Sequence, residues 1–318
     1  MRITVLLTEH RIEHLPIFEK YAREHELIIL EEPYPDLVDQ VLRGALALEK
    51  YVEIVYTEFS KFLIKQYEIL KKLWHEGKII YASEPYLAQL VKIYRIIELK
   101  QDIRSVLDRD KLLKYVHNVE NVVSERLLEY YNAVANIDFE ESVNALLKFA
   151  KADAYRILAR DVMRAVHIKS LLDRKFSSEG IENVLIEAGV IHRILVKVLN
   201  IHFDNCVNVV NSKELLARQC LGLSIDIDKM HPGYLLTYIY LGIEEPPKDT
   251  DIELLAARCI VYNILITKSE QEPTEQEPCP HLLEEYRILR FVNKLDYEHC
   301  KKLFERTLVK LGKVSPVY

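Results

Sequence analysis

Two short apolar runs, RITVLLT at 2–8 and ELIILEEP at 26–33, enclose a segment in which Leu15, Phe18, Tyr21 and Ala22 recur at helical spacing. Strand, helix and strand within about 30 residues is the length of a βαβ unit, whose strands run parallel and are joined by a right-handed crossover. Runs that are apolar without alternation suit strands covered on both faces. The two strands of this first unit are expected side by side. The design repeats in KIIYASEP at 78–85 and ENVLIEAG at 182–189, and VNVV at 207–210 is a fifth candidate strand. Helical patterning fills 36–76, 86–101, 109–135 and 139–175, the last opened by Asp138 as an N-cap. Only 8 of the 318 residues are Gly and 11 are Pro, too few for the many turns of an all-β fold. The expected fold is α/β and strongly helical: a small, mostly parallel sheet with long helical insertions and a helical C-terminal extension. Residues 1–210 form the expected core domain, with a helical insertion over 86–175. Residues 211–318 form the extension, interrupted by the polar, proline-bearing stretch SEQEPTEQEPCPH at 269–281, which reads as a flexible loop.

The net charge of −6 gives no electrostatic reason to expect a nucleic-acid partner. No apolar run reaches membrane-spanning length, so no membrane partner is expected. The opening MRITVLLTEHRIEH reads as a buried strand rather than a signal peptide, and the expected location is cytoplasmic. The 19 tyrosines, the scarce glycine and the dense Glu, Lys and Arg suit a heat-adapted protein as well as an ordinary helical one. The five cysteines, at 206, 220, 259, 279 and 300, include no Cys-x-x-Cys pair; reduced thiols are the default expectation, with disulfides the alternative in a heat-adapted protein.

Candidate chemistry gathers where strands end, the place at which open α/β sheets bind ligands. After the first strand comes Glu9-His10-Arg11-Ile12-Glu13-His14. On a helix His10 and His14 share a face and can share a metal ion, with Glu13 as base for a metal-bound water. The same string matches the inverted zinc-protease pattern His-x-x-Glu-His. The plainer alternative is a polar helix start. After the second strand stand Glu31 and Glu32, and Glu84-Pro85 holds the same place after the third. Gly189-Val190-Ile191-His192 follows the fourth strand. The glycine permits a tight turn, and the helix dipole favours a neutral, ligand-competent His192 over the protonated form; the plainer alternative is a buried, satisfied histidine. Arg156 and Arg160-Asp161 lie on the long helix, where Arg can clamp a carboxylate or phosphate, or simply belong to an ion-pair ladder.

The text LLTEHRIEH at 6–14, IILEEP at 28–33, ILARDVMRAVHIKSLLDRK at 157–175 and VLIEAGVIHRILVKVL at 184–199 resembles a known superfamily. It joins TraB pheromone-shutdown proteins, Tiki proteases, ChaN-like proteins and erythromycin esterases. The resemblance spans residues 1–210 and implies a core sheet with its site at the strand ends. It points to His10, one of Glu31 or Glu32, Arg160 and His192, and to protease or esterase chemistry that is metal-dependent in some members. The resulting expectation is a metal-dependent hydrolase of peptidase or esterase type. His10, His192 and Glu32 hold a divalent zinc, manganese or iron ion, with His14 as an additional ligand. Glu13 or Glu31 activates water, and Arg160 stabilises the oxyanion. The substrate is a small molecule or peptide. The rival expectation is a non-catalytic binding or assembly protein on the same fold, with a homo-oligomer formed through the C-terminal helices.

Overall fold

The computed structural model describes residues 1–55, 59–177 and 179–312. Strand β1 (Arg2–Thr8) leads through a 3₁₀ turn (Ile12–His14) into α1 (Leu15–Glu24) and β2 (Leu27–Leu30). Helices α2 (Pro35–Leu42), α3 (Leu48–Val55) and α4 (Ser60–His75) precede β3 (Ile79–Ala82). Then come α5 (Pro85–Glu98), α6 (Ile103–Leu107), α7 (Lys111–Ala135) and α8 (Phe139–Arg174). Strand β4 (Asn183–Gly189), α9 (Arg193–His202), β5 (Val207–Asn211) and α10 (Ser212–Leu216) follow. The chain closes with α11 (Pro232–Tyr240), α12 (Ile252–Leu265), α13 (Pro280–Val292) and α14 (Tyr297–Gly312). Proline occupies the first turn of α1, α2, α5 and α11, where its missing N–H costs nothing. Asp138 caps α8 as expected, accepting from the Glu141 amide at 3.0 Å.

Among the described residues the sheet is five-stranded and all-parallel, in the order β3-β2-β4-β1-β5. The fold is thus the helical α/β architecture that the patterning predicts. One detail of topology differs. β1 and β2 are not neighbours, because β4 lies between them and pairs with both. β4 is fully buried at Val184, Leu185, Ile186 and Ala188, but so is β2 at Leu27 to Leu30, so the central place shows in the pairing and not in the burial. The crossover from β1 to β2 spans one strand width more than the minimal unit.

The chain divides into two compact units that interleave along the sequence, whereas the sequence reading drew one boundary after 210. The first comprises Met1–His117, Ile157–Ser224 and Glu270–His281, and holds the sheet. The second comprises Asn118–Arg156, Ile225–Ser269 and Leu282–Tyr318. Its described elements are helical. Phe139 anchors its core between Tyr297 and Phe304, with ring centroids at 5.2 and 5.3 Å. Among the described residues no helix is long and apolar enough to cross a membrane.

Candidate active site at the strand ends

The connection from β1 runs toward β2, and the one from β4 runs toward β5. The adjacent strands β1 and β4 therefore send their chains in opposite directions, and right-handed crossovers place the connecting helices on opposite faces. The crevice outside their C-terminal ends is where such a sheet binds ligands. Thr8, Glu9 and His10 leave one side of it, and Gly189 to His192 the other. The Val190 amide donates to the Thr8 carbonyl at 3.0 Å and fixes the two turns together.

Five charged side chains meet there. Glu31 Oε2 accepts from the Gly189 amide at 2.7 Å, and Glu31 Oε1 accepts from Arg160 Nη2 and His192 Nε2, both at 3.0 Å. Arg164 Nη1 adds a contact to Glu31 at 3.4 Å. On its other side His192 Nδ1 donates to Asp161 Oδ1 at 2.5 Å, while Asp161 Oδ2 accepts from the Leu195 amide at 2.9 Å. Burial alone would raise the Glu31 pKa, but His192, Arg164 and Arg160 hold it well below the carboxylate range. Burial likewise opposes the charge of His192, but Glu31 and Asp161 outweigh it and push its pKa up to about 10. Gly189 leaves room at the turn: a Cβ there would crowd His192 Cδ2 at 3.3 Å and touch Glu31 Oε2 at 3.7 Å.

Arg164, 1% exposed, also ties strand ends together: its Nε donates to the Ser83 carbonyl at 2.8 Å and its Nη2 to the Glu187 carbonyl at 2.6 Å. Glu84 lies 3.8–3.9 Å from both guanidinium groups and caps α5 by accepting from Leu87 N at 3.2 Å.

A second group stands beside the first. Glu187 is 3% exposed although it sits inside an apolar strand. Its Oε2 accepts from the Glu31 amide at 3.1 Å, and its Oε1 lies 3.6 Å from His10 Nε2. That Oε1 is buried and has no hydrogen-bond partner among the described residues. The His10 side chain is 32% exposed and stacks on Phe62 at 5.2 Å. Burial works to lower the His10 pKa, but Glu187, with Glu31 and Glu32 behind it, raises it above its ordinary 6.5. Glu32 accepts from Tyr51 Oη at 2.7 Å. Its pKa is pushed up to about 7, first by burial and then by Glu187 and Glu31, against the Tyr51 hydrogen bond.

The residues expected from sequence are thus distributed over more than one cluster. His10, Glu31, Glu32, Arg160 and His192 come together at the crevice. His14 turns away, with Nδ1 2.7 Å from Ser212 Oγ and Nε2 3.9 Å from Glu9. Glu13 is buried and accepts from the His281 amide at 3.0 Å. Glu9 pairs with the buried Lys213. The anticipated ligand set of His10, His14, Glu32 and His192 does not fit a metal ion. Both His192 nitrogens face carboxylates, and His14 belongs to the Ser212 pair. Among the described residues no group of three or more His, Cys, Asp or Glu side chains has the spacing to hold a metal. The expectation of a neutral His192 is also corrected: two carboxylates outweigh the helix dipole.

Three participants were missed. Glu187 carried a signal, a lone carboxylate in the apolar run VLIEAG. Arg164 stands one helical turn from Arg160 and so shares its face. Lys213 carried none, because nothing in its neighbourhood separates it from a surface lysine.

The two carboxylates and the histidine make a pH prediction. His192, raised from 6.5 to about 10, contributes stability fully below pH 6.5 that is lost as pH rises through about 10. Glu31, depressed below 4.5, contributes above that value and loses it on acidification. Glu32, raised to about 7, contributes below 4.5 and loses it as pH rises through about 7. Urea midpoints measured across pH are expected to peak near 4.5, fall on acidification as Glu31 protonates, and fall on the alkaline side first through about 7 with Glu32 and then through about 10 with His192. In His192→Gln the decline above pH 8, by about the scale of one charged pair, should disappear.

No family model matches the chain, and no solved structure matches it. An uncharacterized protein of Archaeoglobus fulgidus is 32% identical over 302 residues, which cover 95% of this chain and 97% of that protein. The similarity therefore runs through both units, and the chain belongs to the same family as this archaeal protein.

Proposed function

We propose that this chain is a hydrolase of peptidase or esterase type, working by general acid–base chemistry at the C-terminal end of its sheet. The observation that supports this reading is the His10–Glu187 pair. A buried carboxylate oxygen, without a hydrogen bond among the described residues, faces the ring of a partly exposed histidine at a strand-end crevice. Neutral His10 takes a proton from water, and Glu187 stabilises the imidazolium that results. The same proton then passes to the leaving group. Arg160, 19% exposed at the crevice, is the charged side chain available to stabilise the developing oxyanion. Glu31 and His192 hold Arg160 in place. Glu31 itself is too weak a base to serve, since its pKa lies well below the ordinary range.

The test is turnover of a panel of nitrophenyl esters and fluorogenic peptides. It compares chelator-treated protein with protein supplemented with zinc, manganese or iron(II). Hydrolysis that survives chelation and is lost in His10→Ala supports the reading. Hydrolysis only with added metal would restore the metal-dependent form of the site. Rates no higher than those of His10→Ala in every condition would overturn the hydrolase.

A non-catalytic binding or assembly protein is the second reading. It is favoured by one observation: the Asp161–His192–Glu31–Arg160 chain satisfies its charges internally, as a purely structural network does. In that reading the C-terminal helices carry a homo-oligomer, and light scattering would show a mass above that of one chain.

A further inference from the structure

Helix α4 begins without a cap of its own, for Phe59 makes no side-chain hydrogen bond to the first amides. A distant carboxylate supplies it. Glu270 Oε2 accepts from Lys61 N at 3.0 Å, and its Oε1 accepts from Phe62 N at 2.9 Å. Glu272 follows, holding the ammonium groups of Lys61 at 3.1 Å and Lys65 at 2.9 Å. The far end of this strap, in the same compact unit, is held as firmly. The His281 amide donates to Glu13 at 3.0 Å, and His281 Nε2 accepts from Gln271 N at 2.8 Å. Cys279 is disulfide-bonded to Cys220, in the π-helical turn Ala217–Leu221. The stretch expected to be a flexible loop is therefore tied at several points, and its one cysteine, Cys279, is paired. Phe62, whose amide Glu270 holds, is the ring that stacks on His10 at 5.2 Å and 28°.

We infer that Glu270 is a positioning residue for His10, acting through the α4 N-terminus and the Phe62 ring. The Cys220–Cys279 disulfide decides whether the strap carrying Glu270 stays seated. A carboxylate on free helix amides is doubly favoured, by hydrogen bonding and by the helix dipole. Holding it from another segment costs loop entropy, which a covalent anchor nearby in sequence reduces. Reduction by a dithiol breaks the S–S bond, delivers two electrons and two protons to give two thiols, and leaves the reductant as its own disulfide. Without its covalent anchor the strap loosens, Glu270 leaves α4, and Phe62 moves off the His10 ring. The catalytic meaning rests on the hydrolase reading, but the coupling of strap to ring does not.

The experiment is the rate of His10 acylation by diethyl pyrocarbonate, followed by mass mapping of the peptide that carries it. It is run on oxidised wild type, wild type reduced with dithiothreitol, Glu270→Ala, Glu270→Gln and Cys279→Ser. Reduction and Glu270→Ala are each expected to speed His10 labelling about fivefold, the scale of a lost helix cap. Glu270→Gln, which keeps one of the two acceptors and loses the charge, should fall between wild type and Glu270→Ala. Cys279→Ser should label fast with or without dithiothreitol. Equal rates in oxidised and reduced wild type, with unchanged circular dichroism, would overturn the inference. So would a dithiothreitol effect that persists in Cys279→Ser. If Glu270→Ala does not fold, the wild-type pair decides. Faster labelling without any hydrolysis would uphold the strap and sink the hydrolase, and hydrolysis with unchanged labelling would do the reverse.

Discussion

Replacing Arg164 with methionine is expected to destabilise the protein by about 3–5 kcal/mol, the cost of removing one partner from a buried charge network. The side chain is 1% exposed, so no water replaces the lost guanidinium. Its removal strips the Ser83 and Glu187 carbonyls of their donors and takes one of two arginines from Glu31. Domains of this kind are stable by only about 5–15 kcal/mol, so the loss is a large share of the whole. Arg160→Met should cost less, because that side chain is 19% exposed and binds no backbone carbonyl in the network. Denaturant midpoints of the two variants would check the order. Equal losses would mean that Glu31, rather than the strand-end carbonyls, is what Arg164 serves.

The second large effect falls on activity. His10→Ala should lower kcat/KM by about 10²–10⁴, the usual contribution of a positioned proton-transfer group. Glu187→Gln should fall in the same range and also change the pH profile. Glu187 is the leading influence raising the His10 pKa against burial. Without it the neutral imidazole persists to lower pH, and the rising limb of kcat/KM moves to the acid side. Glu32 broadens the same limb: as it ionises near pH 7, a further carboxylate near His10 raises the imidazole pKa and delays the appearance of the neutral base. A Glu187→Gln variant with reduced rate but an unmoved limb would separate Glu187 from His10, and leave it a purely structural acid on β4.

The strands were legible because each is a short apolar run bounded by acids, proline or glycine, and their ends located the crevice. His10, Glu31, Glu32, Arg160 and His192 could be read for the same reason, as polar residues placed just after such runs or on a helix that returns to them. What sequence could not supply was pairing. Nothing in VLIEAG says that β4 enters between β1 and β2 rather than joining an edge, since edge and centre differ in neighbours and not in local pattern. The sign of the His192 charge was misjudged because the dipole of its own helix is local, whereas Asp161 and Glu31 reach it from α8 and β2. The Cys220–Cys279 bond joins residues 59 positions apart with no motif between them. Glu13 and His14 looked like a metal-binding pair because the 3₁₀ turn that rotates them toward His281 and Ser212 is not written in their spacing.

The central position of β4 also governs the order in which this protein assembles. Ile3 pairs with Val184, and Leu27 with the same residue, so neither early strand meets its central neighbour until that distant segment arrives. Contacts of such long range slow folding, because the chain must close a large loop before any pairing rewards it. On the ribosome the fully buried Val5, Leu6, Ile28 and Ile29 must wait while α2 through α8 are made. A nascent chain halted before residue 183 presents apolar strands with open edges, the kind of species that aggregates or recruits a chaperone.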